Sequence, residues 1–334
     1  MPTFNEVMQR PDPVLSQIVI GHENEDTVGH QLAPVIPVND RKGQFPKWGM
    51  ETFNLPGDTI RAPRTKADAA DFKVSWFPYN LEEHARDFEY EEKEKQEYAR
   101  LGERVGAAEL FNMERDGVMF TEDQLQLGRE KKQGDLLRSN AIPGETLAVG
   151  ARWDVNTTDI PAAARFARKE IRRKTGKIMN TVLLPFDVDD VVMWHPTVKE
   201  YLGTATRQFV DLDLIRRVFR VENVITAAMI YNLGTEDAPN LVDIWGKDVI
   251  FAYVDPAPQG QRSQRRQSLA YTFRYARTNN EAATPSPVQG EDQSMPVLAW
   301  YDPNTETHIR RVKYEEKTQI VSANCGYVFR GVIA

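Results

Sequence analysis

Cysteine is almost absent from this sequence, since Cys325 is the only one among 334 residues. A single thiol excludes an internal disulfide, which fits folding in a reducing cytoplasm. The sequence also lacks a run of about eighteen apolar residues, so it predicts no helix that spans a membrane. Residues 1–10 lack the apolar stretch of a secretory signal, and we expect no such signal there.

An excess of basic charge is missing as well. The chain has 42 Lys and Arg against 49 Asp and Glu, a net charge of −7. At the level of the whole chain this excludes the basic footprint of a nucleic-acid-binding domain. The hydrophobic fraction of 41% and the charged fraction of 27% are those of an ordinary globular protein, so a sizeable core is expected. The length suits two or three lobes or one large irregular domain.

Catalytic motifs are absent too. There is no GxSxG, GxxxxGK[ST], GxGxxG or HExxH motif, and no histidine stands in a metal-ligand spacing with cysteine. We therefore predict no catalytic residue, no metal site, no cofactor and no enzymatic activity. We interpret His195 as a packed or surface histidine, and Cys325 as a small core residue of an apolar strand.

A cluster of carboxylates suggests an alternative function, that of an enzyme with an acidic active site. Asp187, Asp189 and Asp190 stand close together in the sequence. They lack the glycine-centred loop and distal glutamate of a calcium site, so helix capping is the better interpretation.

The N-terminal third predicts parts that do not pack on themselves. Residues 1–35 show no clean period and indicate an extended arm. Residues 36–80 combine turn signals with aromatic residues and indicate a hairpin with a long polar tip, which cannot bury both faces alone. The hairpin either folds back on its own domain or packs on a neighbouring subunit. The candidates for an inter-subunit contact are Phe45, Trp48, Phe72 and Trp76.

The middle of the chain is predominantly helical. Residues 81–100 are strongly charged and favour a solvated helix face. Thr121 and Gln124 form a capping box that predicts a helix from there toward Ser139. Residues 159–176 give the clearest helix, with cap, proline and stop signals in Asp159, Pro161 and Gly176. A buried strand over 177–184 and short helices over 187–194, 197–202 and 211–218 follow.

Strands dominate the rest and make the fold class α+β. We predict them over 221–231, 248–254, 269–275 and 296–300, and a long antiparallel pair over 308–314 and 318–332. The loop between the second and third strands carries Arg262, Arg265 and Arg266. These arginines either contact phosphate or belong to a solvated loop.

Several short segments, taken together and in order, resemble the major capsid proteins of tailed double-stranded-DNA bacteriophages, the Hong Kong 97 phage type. The segments are Arg41-Lys42-Gly43-Gln44-Phe45, Thr59-Ile60-Arg61-Ala62-Pro63, Ala151-Arg152-Trp153-Asp154, Thr158-Asp159-Ile160-Pro161 with Gly176 and Asn180, His195-Pro196, and Trp245-Gly246-Lys247. Each motif is weak by itself, and the ordered set covers most of the chain.

The resemblance implies a Hong Kong 97 phage-type capsid fold. Its expected parts are an N-terminal arm (1–35), an extended β-hairpin loop (36–80) and a peripheral domain with a long spine helix (81–185). Residues 186–300 would form mainly the axial domain, and 301–334 C-terminal strands that return to the peripheral domain.

The resemblance also implies a structural function, an icosahedral shell that encloses phage double-stranded DNA in the virion after assembly in the host cytoplasm. Expected partners are other copies in pentamers and hexamers, a separate scaffolding protein, a portal and packaged DNA bound without sequence preference. The resemblance leaves open whether decoration proteins bind, and we expect no contact with a membrane. Candidate DNA-facing residues are Arg262, Arg265 and Arg266. The alternative within the same fold is the shell of a cellular nanocompartment.

Overall fold

The computed structural model describes residues 27–48, 64, 74–105, 112–201, 212–235, 238–257, 267–275 and 296–334. Within these ranges the chain forms two five-stranded sheets, two two-stranded sheets and a set of helices packed on them. No helix in these ranges is long and apolar enough to cross a membrane.

The helices are α1 (Gly29–Leu32), α2 (Glu92–Val105), α3 (Met113–Leu137), α4 (Ile160–Thr175), α5 (Phe186–Trp194), α6 (Pro196–Tyr201) and α7 (Leu212–Phe219). The strands before α5 are β1 (Val35–Val38), β2 (Lys42–Trp48), β3 (Val74–Asn80), β4 (Glu82–Glu91), β5 (Gly144–Thr146) and β6 (Thr181–Pro185). The later strands are β7 (Asn223–Ala227), β8 (Ile230–Asn232), β9 (Leu241–Asp243), β10 (Val249–Ala252), β11 (Ala270–Tyr275), β12 (Val297–Asp302), β13 (Thr307–Ile320) and β14 (Gly326–Arg330).

The first sheet is built around β13. The first part of β13 pairs with β12, and the last part pairs with β11. The strand also pairs with all ten residues of β4. The parallel partner of β11 is β1. The long helix α3 packs on β4 and β13, and buries Val118 and Leu125 against Val312 and Tyr314.

The second sheet has the strand order β5-β14-β10-β6-β7 and a core on each face. Because side chains alternate along a strand, Val182 and Leu184 belong to one core and Leu183 to the other. Helices α4 to α7 cover the first core, around Trp153. The C-terminal end of α3 closes the second core with Leu137.

The helix predicted over 159–176 is confirmed as α4. The carboxylate of Asp159 accepts a hydrogen bond from the backbone N–H of Ala162 at 2.9 Å, and Pro161 stands in the first turn. Gly176 ends the helix in the left-handed conformation, with φ of 71°. Ile171 and its neighbours on that side are buried in the core of the second sheet.

The predicted start of the preceding helix is wrong. Helix α3 begins at Met113, and the side chain of Asn112 caps it by accepting from the N–H of Arg115. Thr121 lies two turns inside the helix, and its hydroxyl donates to the carbonyl of Gly117 at 2.7 Å. The hydroxyl is therefore used inside the helix and caps nothing.

Two further expectations need correction. Residues 82–91 form strand β4 and not a helix; the helical part of the charged stretch is α2. The predicted antiparallel pair at the C-terminus is instead one long strand, β13, after which the chain turns at 323–325 and enters the second sheet as β14. The region predicted as one strand over 221–231 is divided between β7 and β8.

The last part of the predicted arm packs on the subunit itself. Val28, Leu32 and Ala33 are buried in the core around Leu137, and the strand that follows, β1, joins the first sheet. The expectation of an arm therefore concerns residues 1–26, which lie outside the described residues.

Candidate assembly surfaces

The hairpin of β2 and β3 has a base that its own subunit buries. Phe45 and Tyr79 are 2% and 7% exposed, and the ring centroid of each lies 5.1 Å from that of Phe273 in β11. Gly43 allows the ring of Tyr79 to lie against the facing strand, because a Cβ at this position would overlap the ring. Phe45, predicted as an inter-subunit contact, is thus a core residue of its own subunit.

The outer part of the same hairpin is apolar and exposed. Trp76 is 61% exposed and Phe77 is 43% exposed. Trp76 therefore stays a candidate for contact with a neighbouring subunit. Phe72 and the side chain of Trp48 lie outside the described part of the chain, as do Arg262, Arg265 and Arg266.

A second set of exposed residues lies on the helical layer over the second sheet. Helix α4 packs over β10 and β14, whereas α5 packs over β6 and β7. Since the strand order runs β14-β10-β6-β7, the two helices occupy opposite sides of the layer, and α6 contacts both. Each helix also has one face that the described residues leave uncovered.

The uncovered face of α5 is acidic and aromatic. Phe186, Asp187, Asp190 and Trp194 are exposed, while Val188 and Val192 on the other side are fully buried. The aromatic residues are 60% and 67% exposed. The predicted capping role of the aspartates is wrong, because Pro185 occupies the N-cap and no side chain caps the helix.

The uncovered face of α4 is basic and carries one aromatic ring. Phe166, Lys169, Arg172 and Arg173 are exposed, opposite the buried face that includes Ile171. The ring of Phe166 makes an edge contact with Tyr327 at a centroid distance of 5.6 Å, which holds it at the surface. Arg173 pairs with Glu170 of its own helix, and its side chain is still 76% exposed.

The three aspartates of α5 do not point the same way, since Asp189 is buried whereas Asp187 and Asp190 are exposed. A shallow cleft beside α5 is lined by Trp153, Asp154, Asn156, Asp190, Val191, Trp194 and His195. Asp154 accepts from the backbone N–H of Ala334, and His195 is buried between Thr197 and the carbonyl of Val155. The prediction of a packed histidine is confirmed. Among the described residues, no group of His, Cys, Asp and Glu could hold a metal ion.

Asp189 points inward, unlike its neighbours. Burial, together with the nearby charge of Asp190, raises the pKa of Asp189, while a hydrogen bond from the hydroxyl of Thr226 opposes the shift. The core position predicted for Cys325 is confirmed, since the thiol is fully buried and burial raises its pKa, but the residue ends the turn before β14 and does not lie in a strand. A buried thiol with a raised pKa is a poor nucleophile.

Ion pairs join β4 to β13. Arg311 forms a two-pronged pair with Asp87 at 2.6 Å, Lys313 pairs with Glu83, and Lys317 with Glu82. At the end of this ladder, the carboxylate of Glu114 on α3 accepts from Lys95 and Tyr90, each at 2.7 Å. These hydrogen bonds, together with the charge of Arg310 nearby, outweigh the effect of burial and lower the pKa of Glu114 to about 2.

Sequence reasoning missed the two helix faces. The exposed aromatics Phe166, Phe186 and Trp194 were not among the predicted contact residues. A usable signal was present in α5, where Phe186, Asp190 and Trp194 recur every four residues and so fall on one side of a helix.

The comparisons with known proteins agree with the architecture. No protein-family model matches the chain. A curated relative, the major capsid protein of Burkholderia phage BcepMu, is 29% identical over 270 residues, which is 79% of this chain and 83% of the relative.

Two solved structures have the same fold. The structure of a phage-related protein from Bordetella bronchiseptica gives a TM-score of 0.70 at 22% identity and covers 96% of this chain and 97% of that one. The capsid structure of Cyanophage P-SCSP1u gives a TM-score of 0.54 at 8% identity, covering 91% and 88%. The chain has the Hong Kong 97 phage-type capsid fold. It is a homologue of a phage major capsid protein.

Proposed function

We propose that this protein is the major capsid protein of a tailed phage, and that many copies assemble into an icosahedral shell around double-stranded DNA. The observation that carries the proposal is the 29% identity to a phage major capsid protein over most of both chains, on a capsid fold. Such a role is structural and needs no catalytic group.

The exposed aromatic residues support this proposal. Large apolar side chains on a monomer surface mark contact sites when they cluster and are bordered by polar groups. Trp76 and Phe77 are exposed on the hairpin, and Phe186 and Trp194 are exposed beside the acidic residues of α5. Several separate contact surfaces are what a subunit needs to meet more than one neighbour in a closed assembly.

The parts and partners implied by the fold belong to this proposal. We assign residues 36–80 to an extended loop, apart from the residues at its start that belong to β1 of the first sheet. We assign 81–185 to a peripheral domain, 186–300 mainly to an axial domain and 301–334 to strands that return to the peripheral domain. Copies would form pentamers and hexamers, with a separate scaffolding protein and a portal, in the host cytoplasm. Arg262, Arg265 and Arg266 would contact packaged DNA without sequence preference.

Size-exclusion chromatography with electron microscopy of the purified full-length chain tests the proposal, alone and with the phage's own scaffolding protein. We expect closed particles built from five- and six-membered rings. A monomer that persists across protein concentration, salt and added scaffold would contradict it. Particles from cells that contain enzyme cargo and no DNA would favour the nanocompartment alternative.

A separate experiment tests the arginines. Replacing Arg262, Arg265 and Arg266 by Gln should slightly reduce DNA retention in particles and leave any sequence preference unchanged. Loss of binding to one particular DNA sequence would contradict the assignment.

A further inference from the structure

The uncovered faces of α4 and α5 match each other in charge and in spacing. On α4, Lys169 and Arg172 are three residues apart; on α5, Asp187 and Asp190 are also three residues apart. A helix rises about 1.5 Å per residue, so both pairs of charges are separated by about 4.5 Å along their helix axes. Within the described part of the chain, none of these four side chains has an ion pair or hydrogen bond.

The match extends to the aromatic residues when the two helices run antiparallel. Setting Arg172 opposite Asp187 and Lys169 opposite Asp190 brings Phe166 to Trp194 at one end. At the other end, the same register brings Arg173 to Phe186. Aromatic pairs and an arginine over an aromatic ring are both favourable contacts, and an antiparallel arrangement also aligns the helix dipoles favourably.

The two faces cannot meet within one subunit, because α4 and α5 lie on opposite sides of the same helical layer with α6 between them. We propose that the acidic face of α5 docks on the basic face of α4 of a second copy, in an antiparallel register. Such a contact joins two different surfaces of the same chain, so it is head-to-tail and closes rings when the rotation between copies permits. This inference rests on the proposed shell assembly.

The two faces are held ready for contact. The ammonium of Lys199 lies 4.2 Å from the centre of the Trp194 ring, and Tyr327 supports the ring of Phe166. Large aromatic rings that are fixed before binding lose little conformational entropy on association. The aromatic ends thus provide buried apolar area, and the central charges select the partner and its register.

Charge reversal tests the contact. The variants Asp187→Lys/Asp190→Lys and Lys169→Glu/Arg172→Glu each place like charges opposite each other, and should raise the protein concentration needed for assembly by at least about tenfold. All four positions are exposed, so each variant should keep the helical circular-dichroism spectrum of the wild type. The variant that combines all four substitutions should assemble again.

A matched control separates this pairing from net charge. Combining Asp187→Lys/Asp190→Lys with Arg100→Glu/Arg104→Glu on α2 restores the net charge at exposed positions elsewhere, and should not restore assembly. Rescue by this control, or wild-type assembly of either reversed pair, would overturn the inference. A wild type that never assembles would instead reject the proposed function.

Mixing the two reversed variants tests the head-to-tail geometry. One variant has two basic faces and the other has two acidic faces, so each can dock only on the other. Copies must then alternate around a ring, and alternation closes rings with an even number of members only. We expect six-membered rings from the mixture and no closed shell. Five-membered rings containing both variants, resolved by electron microscopy or native mass spectrometry, would overturn the head-to-tail arrangement.

Discussion

The indole N–H of Trp245 donates a hydrogen bond of 2.8 Å to the carboxylate of Glu130, 115 positions away in the sequence. The same carboxylate accepts from the backbone N–H groups of Val28 and Gly29, at 2.9 to 3.2 Å. Glu130 is 1% exposed, so it joins the start of the described chain, helix α3 and the loop before β10 inside the protein. A buried carboxylate is stable only when such donors compensate for its lost hydration.

We predict that Glu130→Ala lowers the free energy of unfolding by about 3 kcal/mol, because three buried N–H donors lose their acceptor. Glu130→Gln should cost less, since the amide oxygen can still accept. Urea unfolding followed by circular dichroism measures both. Glu103→Ala, at an exposed position of α2, is the control and should change little. Equal stability of Glu130→Ala and the control would show that the three contacts contribute nothing.

A pair of glycines on α3 gives a sharp test of packing. A Cβ at Gly117 would overlap the ring of Phe88 on β4, whereas a Cβ at Gly128 would meet nothing within 4 Å. Gly117→Ala should therefore destabilise the protein by about 1 to 3 kcal/mol through overpacking. Gly128→Ala should stabilise it by about 0.5 to 1 kcal/mol through helix propensity. Thermal unfolding of both variants compares them, and the idea fails if Gly117→Ala is the more stable of the two.

The hairpin residues should separate folding from assembly. Phe45→Ala removes a buried ring and should cost about 3 to 5 kcal/mol of stability. Trp76→Ser, at an exposed position, should change stability by less than about 0.5 kcal/mol and still impair assembly. Unfolding curves and light scattering of assembly measure the two effects. Normal particles from Trp76→Ser would remove this residue from the proposed contact.

We expect the segment that joins β2 to β3 to be cut by protease before assembly and protected after it. Protease should cut unassembled subunits between residues 61 and 73 and spare assembled ones, because a two-stranded ribbon is marginal in isolation. Deletion of residues 56–71, which lie almost entirely outside the described residues, should leave a folded subunit that fails to assemble. A deletion variant that cannot fold would assign the hairpin to its own core.

Glu114 makes the stability depend on pH in an acidic window. Its pKa is about 2 in the folded protein and near 4.5 in the unfolded chain, so the ionised folded form is favoured. The contribution is fully present above pH 4.5 and is lost as the pH falls toward 2. The stability difference between the wild type and Glu114→Gln should therefore shrink over this interval. A difference that stays constant from pH 6 to about 2, measured by urea unfolding, would contradict the linkage.

Local signals account for the elements that the sequence predicts well. Helix α4 is defined by Asp159, Pro161 and Gly176, each of which acts within a few residues of itself. Strand β4 was predicted as a helix because the strand that pairs with it, and that supplies the basic partners of Glu82, Glu83 and Asp87, lies more than 200 positions away in β13. Helix α3 begins before Thr121 because the side chain of Asn112 caps it there, and the helix includes Gly117, a poor helix former, where Phe88 packs. A tertiary contact therefore decided the first case, and a local cap that the sequence reading overlooked decided the second.

The sequence likewise shows some residues of the candidate surfaces, but it does not show which of them are exposed. Aromatic residues in the hairpin were visible in the sequence, but the pairing of β3 with β2 decides that Tyr79 faces inward and Trp76 outward. For α5, the sequence could not show that Asp187 and Asp190 are left uncovered. That depends on Pro185 as the N-cap and on which side of the helix the second sheet buries.

The burial of Cys325 has a practical consequence. Because the sequence contains no other cysteine, a maleimide dye should leave the folded wild type unlabelled. A cysteine introduced at any exposed position would then be the sole reactive thiol on each copy. Reporters placed one at a time along the hairpin or the two helix faces could record, second by second, which surface becomes shielded first as particles form.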